Sequence, residues 1–216
     1  MGIVLKFRLL LSFIVLLVGT VAVTNLGAGF RRAEPLLSIS RIASAASDDQ
    51  LASAKLASTL MPLRSDLRAE YALTAASRVL NSNQSAPAEI AMDAVKSSLK
   101  VGPHDSLMWL VLALLQTRTK AADHRIAESL KMSYLTGQNR TDLIPARLRS
   151  ATSGNTLTDT DLAELAKGDV RAILTQLSEQ RPSLIDDYAG ASQIGRAFLE
   201  TSIKAVDPKF IETLKN

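Results

Sequence analysis

Cysteine is absent from this 216-residue chain. Disulfide frameworks, thiolate zinc sites, iron–sulfur clusters and cysteine nucleophiles are excluded together. Aromatics are scarce at 4% of residues, and Phe7, Phe13 and Phe30 of those few fall in or beside one apolar run near the amino terminus. An excess of one charge is also nearly missing. The net charge is +4, Lys6 and Arg8 precede the first acid, Glu34, and the remaining bases are interspersed with acids. No basic stripe stands apart, so nucleic acid is not an expected partner. Glycine-rich phosphate loops and dinucleotide fingerprints are lacking as well.

What is present begins with 22 consecutive uncharged residues, Leu9 to Phe30, between Lys6 and Arg8 on one side and Arg31 and Arg32 on the other. At about 1.5 Å per residue such a helix reaches about 33 Å, enough to cross a hydrocarbon core of about 30 Å. The competing reading is a cleaved signal peptide, which needs a small-x-small site just after the apolar core. Gly27-Ala28-Gly29 serves poorly, and Ala43-Ser44-Ala45 lies too far downstream. An uncleaved anchor over 9–30 is therefore expected, in contact with membrane lipid. The chain then divides into a tail (1–8), a transmembrane helix (9–30), a Ser/Ala-rich tether (31–48) and a domain (49–216). Basic residues flank the span almost evenly, so charge alone does not set its orientation. The short amino-terminal tail favours a single-pass protein of the bacterial inner membrane with its domain in the periplasm.

From residue 49 onward Ala and Leu recur at helical spacing, with no alternating β-branched runs and no Asn-Gly turns, which predicts an all-α domain. Breaks place the helices at Gln50–Met61, Ser65–Leu80, Pro87–Val101, Leu107–Leu115 behind an Asp105 or Ser106 cap, Asp123–Leu135 and Thr141–Ala151, where Pro145 is confined to the first turn. Leu107 to Leu115 is apolar on nearly every side, which predicts burial by neighbours on more than one face. Ser150–Thr158 reads as a loop. Asp161–Lys167, Val170–Glu179 and Ser183–Val206 follow, and Asp207-Pro208 opens a last short helix with Phe210, Ile211 and Leu214.

Pro62, Pro103 and Pro145 stand 41 and 42 residues apart, and ten residues after the first two come Ala72 and Ala113. Small residues there permit close helix approach, as stacked hairpins require. The stretch Pro103 to Ala113 resembles the start of a tetratricopeptide repeat, with Trp109 six residues after the proline and Leu112 and Ala113 three and four further on. Ala91 and Ser98 match the small positions of the preceding second helix, whereas Gln116 and Arg125 depart from the pattern. The resemblance covers about residues 50 to 140 in two degenerate units. It implies stacked antiparallel hairpins that bind a partner protein without catalysis, and it transfers no contact residues. Residues 106 to 149 are also similar to small single-span helical proteins of alpha-proteobacteria linked to surface-polysaccharide synthesis. That implies an accessory role at the cell envelope.

Chemistry is sparse. His104 and His124 lack metal-ligand spacing and read as solvated. Asp159 and Asp161 lie in or beside the loop, and Asp161 with Glu164 has capping spacing. Asp186 and Asp187 read as first-turn acids. Gly190 to Gly195 is one residue too long for a nucleophile elbow, and Ser97 with Lys100 lacks its companion motif. Trp109 and Tyr134 are expected in the core, and Arg140, Arg147 and Arg149 on a solvated surface. No catalytic, cofactor-binding or metal-binding residue is assigned. The chain reads as a non-enzymatic, membrane-tethered scaffold; the alternatives are a structural subunit acting through its membrane helix and an enzyme with an unrecognised site.

Overall fold

Side-chain capping opens four of the described helices. The computed structural model describes residue 42 and residues 46–82 and 88–215. The expected tail, membrane span and most of the tether lie outside them. Ser47 caps α1 (Asp48–Leu60) in a reciprocal capping box with Gln50. This satisfies two donors that a helix start leaves unpaired. The second helix, α2 (Ser65–Asn81), ends before Ser82, and α3 (Ala88–Val101) before Gly102. Asp105 caps α4 (Ser106–Arg118) by accepting from the N–H groups of Leu107 and Met108, and α5 (Asp123–Thr136) stops at Gly137. A 3-10 turn, Thr141–Leu143, leads into α6 (Ile144–Ser153) with Pro145 in its first turn. Then come α7 (Thr160–Thr175), α8 (Arg181–Gly190), α9 (Gln193–Val206) and α10 (Phe210–Lys215). Among the described residues there is no strand, and no helix is long and apolar enough to cross a membrane.

The helices pack as sequential antiparallel pairs. Partners α2 and α3, α4 and α5, and α6 and α7 lie against each other; α2, α4 and α6 form one contiguous layer, and α5 and α7 meet in the other. The sequence continues with α8 against α6 and α9 against α7, while α1 leans on α2. Helix α4 is the centre of this stack. Leu107, Met108, Leu110, Val111, Ala113 and Leu115 are wholly buried, as its apolar circumference predicts. Ala72 and Ala113, the small residues singled out by their spacing, are both fully buried, and the helices that carry them, α2 and α4, lie against each other.

Three boundaries differ from expectation. The helix over Asp161–Lys167 does not end at Gly168 but runs on to Thr175. A mid-helix glycine costs about 1 kcal/mol, which burial of Leu162, Ala166, Val170 and Ile173 along the stripe outweighs. Ser150 is helical rather than in a loop, because α6 extends to Ser153 before Gly154. The long helix expected from Ser183 to Val206 is broken at Ala191, where the Ser192 N–H donates to the Thr152 carbonyl and the Ser192 hydroxyl caps α9. This turn brings α9 so close to α6 that a Cβ on Gly195 would drive into the Thr152 carbonyl.

The two glycines therefore give opposite results when changed to alanine. In denaturant titrations Gly195→Ala should destabilise the domain by about 2 to 3 kcal/mol through overpacking. Gly168→Ala, which meets nothing within 4 Å, should stabilise it by about 0.5 to 1 kcal/mol. Equal effects of the two substitutions would contradict the close α6–α9 approach.

Candidate functional site

Because α4 is flanked by pairs on both sides, its exposed edges become the walls of two grooves. The larger, about 980 Å³, opens between α3, α4, α5 and α7. Trp109, Leu112, Met132, Leu135 and Leu165 give it an apolar lining, with Lys96, Arg125 and Lys131 set against Glu128, Asp161 and Glu164. Trp109 is half-buried and its indole N–H donates to the Pro103 carbonyl at 2.8 Å. The expected core anchor is thus a groove wall held in one orientation by its polar end. Leu135 is 58% exposed, and the interior of the domain is filled by Leu and Ala.

Three of the charged residues in this lining, Lys131, Asp161 and Glu164, are engaged in ion pairs. Lys131 donates to Asp159 at 2.7 Å and lies 3.9 Å from Asp161, and Glu164 accepts from Lys167. The hydrogen bond from Lys131, with the Leu162 N–H second, holds the Asp159 carboxyl below its usual range. Asp159, not Asp161, is the N-cap of α7. Asp161 sits in the solvent-exposed first turn, so the capping assignment moves by two residues. His104 and His124 are exposed and line neither groove. Among the described residues no group of His, Asp and Glu could hold a metal ion.

Polar groups also penetrate the core, where the sequence reading placed none. Arg147 is 1% exposed, contrary to the expected solvated surface. Its guanidinium donates to the Ser133 hydroxyl at 2.9 Å, the Ser133 carbonyl at 2.5 Å and the Gly137 carbonyl at 3.1 Å, and it stacks 4.9 Å over the Tyr134 ring. Tyr134, a core residue as expected, faces Asp169, although its hydroxyl and Asp169 Oδ2 both lack an aligned hydrogen bond. Asp187 lies inside α8 rather than opening a helix; it is buried and accepts from Arg149 Nε at 2.9 Å. Arg140 and Arg149 do lie at the surface.

A signal for these buried charges does exist in the sequence. Arg147 falls on the Ile144, Leu148, Ala151 stripe, Asp169 on the Leu162, Ala166, Ile173 stripe, and Asp187 three residues after Leu184. Apolar spacing thus points all three inward. Compared with protein-family models, curated proteins and solved structures, the chain matches none.

Burial pushes the carboxyls of Asp169 and Asp187 up to about 6 against the pull of Arg147 and Arg149. Unfolded, both would titrate near pH 4. Between those values the folded state binds more protons, so their contribution to stability is complete below about pH 4 and is lost as pH rises through about 6. The urea midpoint should accordingly fall as pH is raised from about 4.5 to 7, and Asp169→Asn should flatten that fall. An unaltered slope in the variant would exclude Asp169 as its source.

Proposed function

We propose that the chain is a membrane-tethered helical scaffold that holds a partner protein at the cell envelope through the groove beside Trp109. The observation that carries this reading is an open apolar groove in a stack of helix pairs, with an exposed Leu135 and an oriented Trp109 in its lining beside three basic and three acidic residues. Such a surface gains from burying apolar area against a helix or loop of another protein, with aromatic anchoring at its centre. The stacked pairs and the buried small residues Ala72, Ala91, Ser98 and Ala113 support a degenerate tetratricopeptide arrangement. The uncharged run 9–30 supports a single-pass anchor, and the likeness of residues 106 to 149 to polysaccharide-linked membrane proteins supports an accessory role in surface-polysaccharide assembly with the domain in the periplasm.

The alternative is a subunit that works through its membrane helix, and site-specific photocrosslinking of the full chain in native membranes separates the two. A benzophenone side chain at Met132 or Leu135 should give one discrete protein adduct that a probe at Ile185, away from the groove, does not give. Adducts obtained only from probes within 9–30 would transfer the function to the membrane segment.

A further inference from the structure

A smaller groove, about 450 Å³, lies on the layer formed by α2, α4 and α6. It shares no lining residue with the first. On α4 its residues Leu114, Thr117 and Arg118 lie roughly opposite Trp109, Leu112 and Gln116 at about 100° per residue. The two surfaces are therefore independent faces of the central helix.

Three features of this second groove point to a ligand. First, it already holds a residue of the chain's own backbone, Ile42. Ile42 lines it and packs against the core, and its carbonyl accepts from Asn81 Nδ2 at 2.6 Å. Second, the lining includes Arg118 and Arg149 but no acidic residue, in contrast to the balanced charges beside Trp109. Arg118 spends one donor on the Ser82 carbonyl and Arg149 one on Asp187, which leaves most of the five N–H groups on each guanidinium for something else. Third, the hydroxyl of Ser150, 5% exposed and also in the lining, has no hydrogen-bond partner. An unmade bond at a buried group costs about 1 to 3 kcal/mol, which a bound acceptor would recover.

We propose that this groove binds an acidic segment of a partner protein, displacing Ile42 and reusing its contacts. Asn81 donates to the incoming backbone carbonyl as it does to that of Ile42. A branched apolar side chain takes the place of the Ile42 side chain beside Leu80, Leu114 and Ala146, and flanking carboxylates accept paired N–H bonds from Arg118 and Arg149. The chain's own segment supplies the backbone and the apolar side chain but no carboxylate at Ile42, so an acidic competitor makes interactions that the resident residue cannot.

The test uses the full-length chain in detergent micelles and two fluorophore-tagged peptides, Ac-Glu-Ile-Glu-Ile-Glu-amide and its glutamine counterpart, followed by anisotropy. The glutamate peptide should bind saturably and at least about tenfold more tightly than the glutamine peptide. Arg118→Gln should weaken it about tenfold, Arg118→Lys should retain most of the binding, and Ile42→Gly should tighten it several-fold by removing the competitor. Lys96→Gln, in the other groove, should change nothing. Because Arg118 is exposed and makes one backbone contact, its variants are expected to keep the helical circular-dichroism spectrum. Equal binding of the two peptides, indifference to Arg118→Gln, or no gain from Ile42→Gly would overturn the proposal. So would full displacement of the peptide by millimolar acetate, since the site would then be one for free carboxylate.

Discussion

At the end of α5 the Gly137 N–H bonds back to Tyr134 instead of to Ser133, and the Ser133 carbonyl turns into the interior, where the next pair of helices must pack. Helix ends leave such carbonyls without partners and carry negative dipole character. Arg147 meets both demands, donating to the Ser133 and Gly137 carbonyls from the first turns of α6. The position of the third helix pair relative to the second rests on this contact. Close approach is enforced at the same place by Gly137, where a Cβ would collide with Ser106. A buried guanidinium costs several kcal/mol in desolvation, and the compensation is distributed: two carbonyls, the Ser133 hydroxyl, the Tyr134 ring and the field of Asp169. Leaving Asp169 charged at neutral pH is itself part of that compensation, which explains why a carboxyl with so little hydrogen bonding is retained in the core.

This staple has a consequence for the surfaces. Once α6 and α7 are fixed beside α4 and α5, the central helix has neighbours on both sides, and only the clefts between layers remain open. Trp109 looks into one of them and Arg118 into the other. The two clefts differ in kind, because the first is apolar with bases and acids in equal number and the second is small, with bases and no acid in its lining. Apolar contact supplies affinity, while charge of one sign supplies selection between partners. A scaffold with both can hold one segment by shape and discriminate another by charge.

Much of the helix architecture was legible because it depends on neighbours in sequence. Asp105 as a cap, Pro145 in a first turn, Gly137 as a stop and the all-round apolar α4 are local chemistry, and each stands where the pattern placed it. The misread positions share a different property, since each is decided by a residue distant in sequence. Gly168 looks like a helix end unless the buried stripe on either side of it is weighed. The break at Ala191 depends on Thr152, which accepts from Ser192 across the α6–α9 contact. Trp109 was read as core because α4 has no polar face to reveal which side opens onto a groove. Arg147 was assigned to the surface by its charge and Asp187 to a first helical turn, whereas their spacing among apolar residues, like that of Asp169, already placed them inward. For a charged residue, position on the stripe is the better guide when a helix end or an opposite charge can meet it.

The connection preceding α1 also takes a different character from its composition. A Ser/Ala-rich stretch reads as a loose tether, yet Ser47 is committed to the capping box of α1, Asp48 pairs with Arg78, and Ile42 belongs to the same compact unit as the helices. Each contact is individually weak, since the ion pair is largely exposed and such pairs contribute about 0 to 1 kcal/mol. Their effect lies in being joined by few residues, so that forming one lowers the entropy cost of the next. The same weakness makes them reversible. Ile42, half-buried and held by the Asn81 amide, can be exchanged for a better ligand without disturbing the α4 core beneath it, which is a physical requirement for any groove that changes occupants while the stack stays folded.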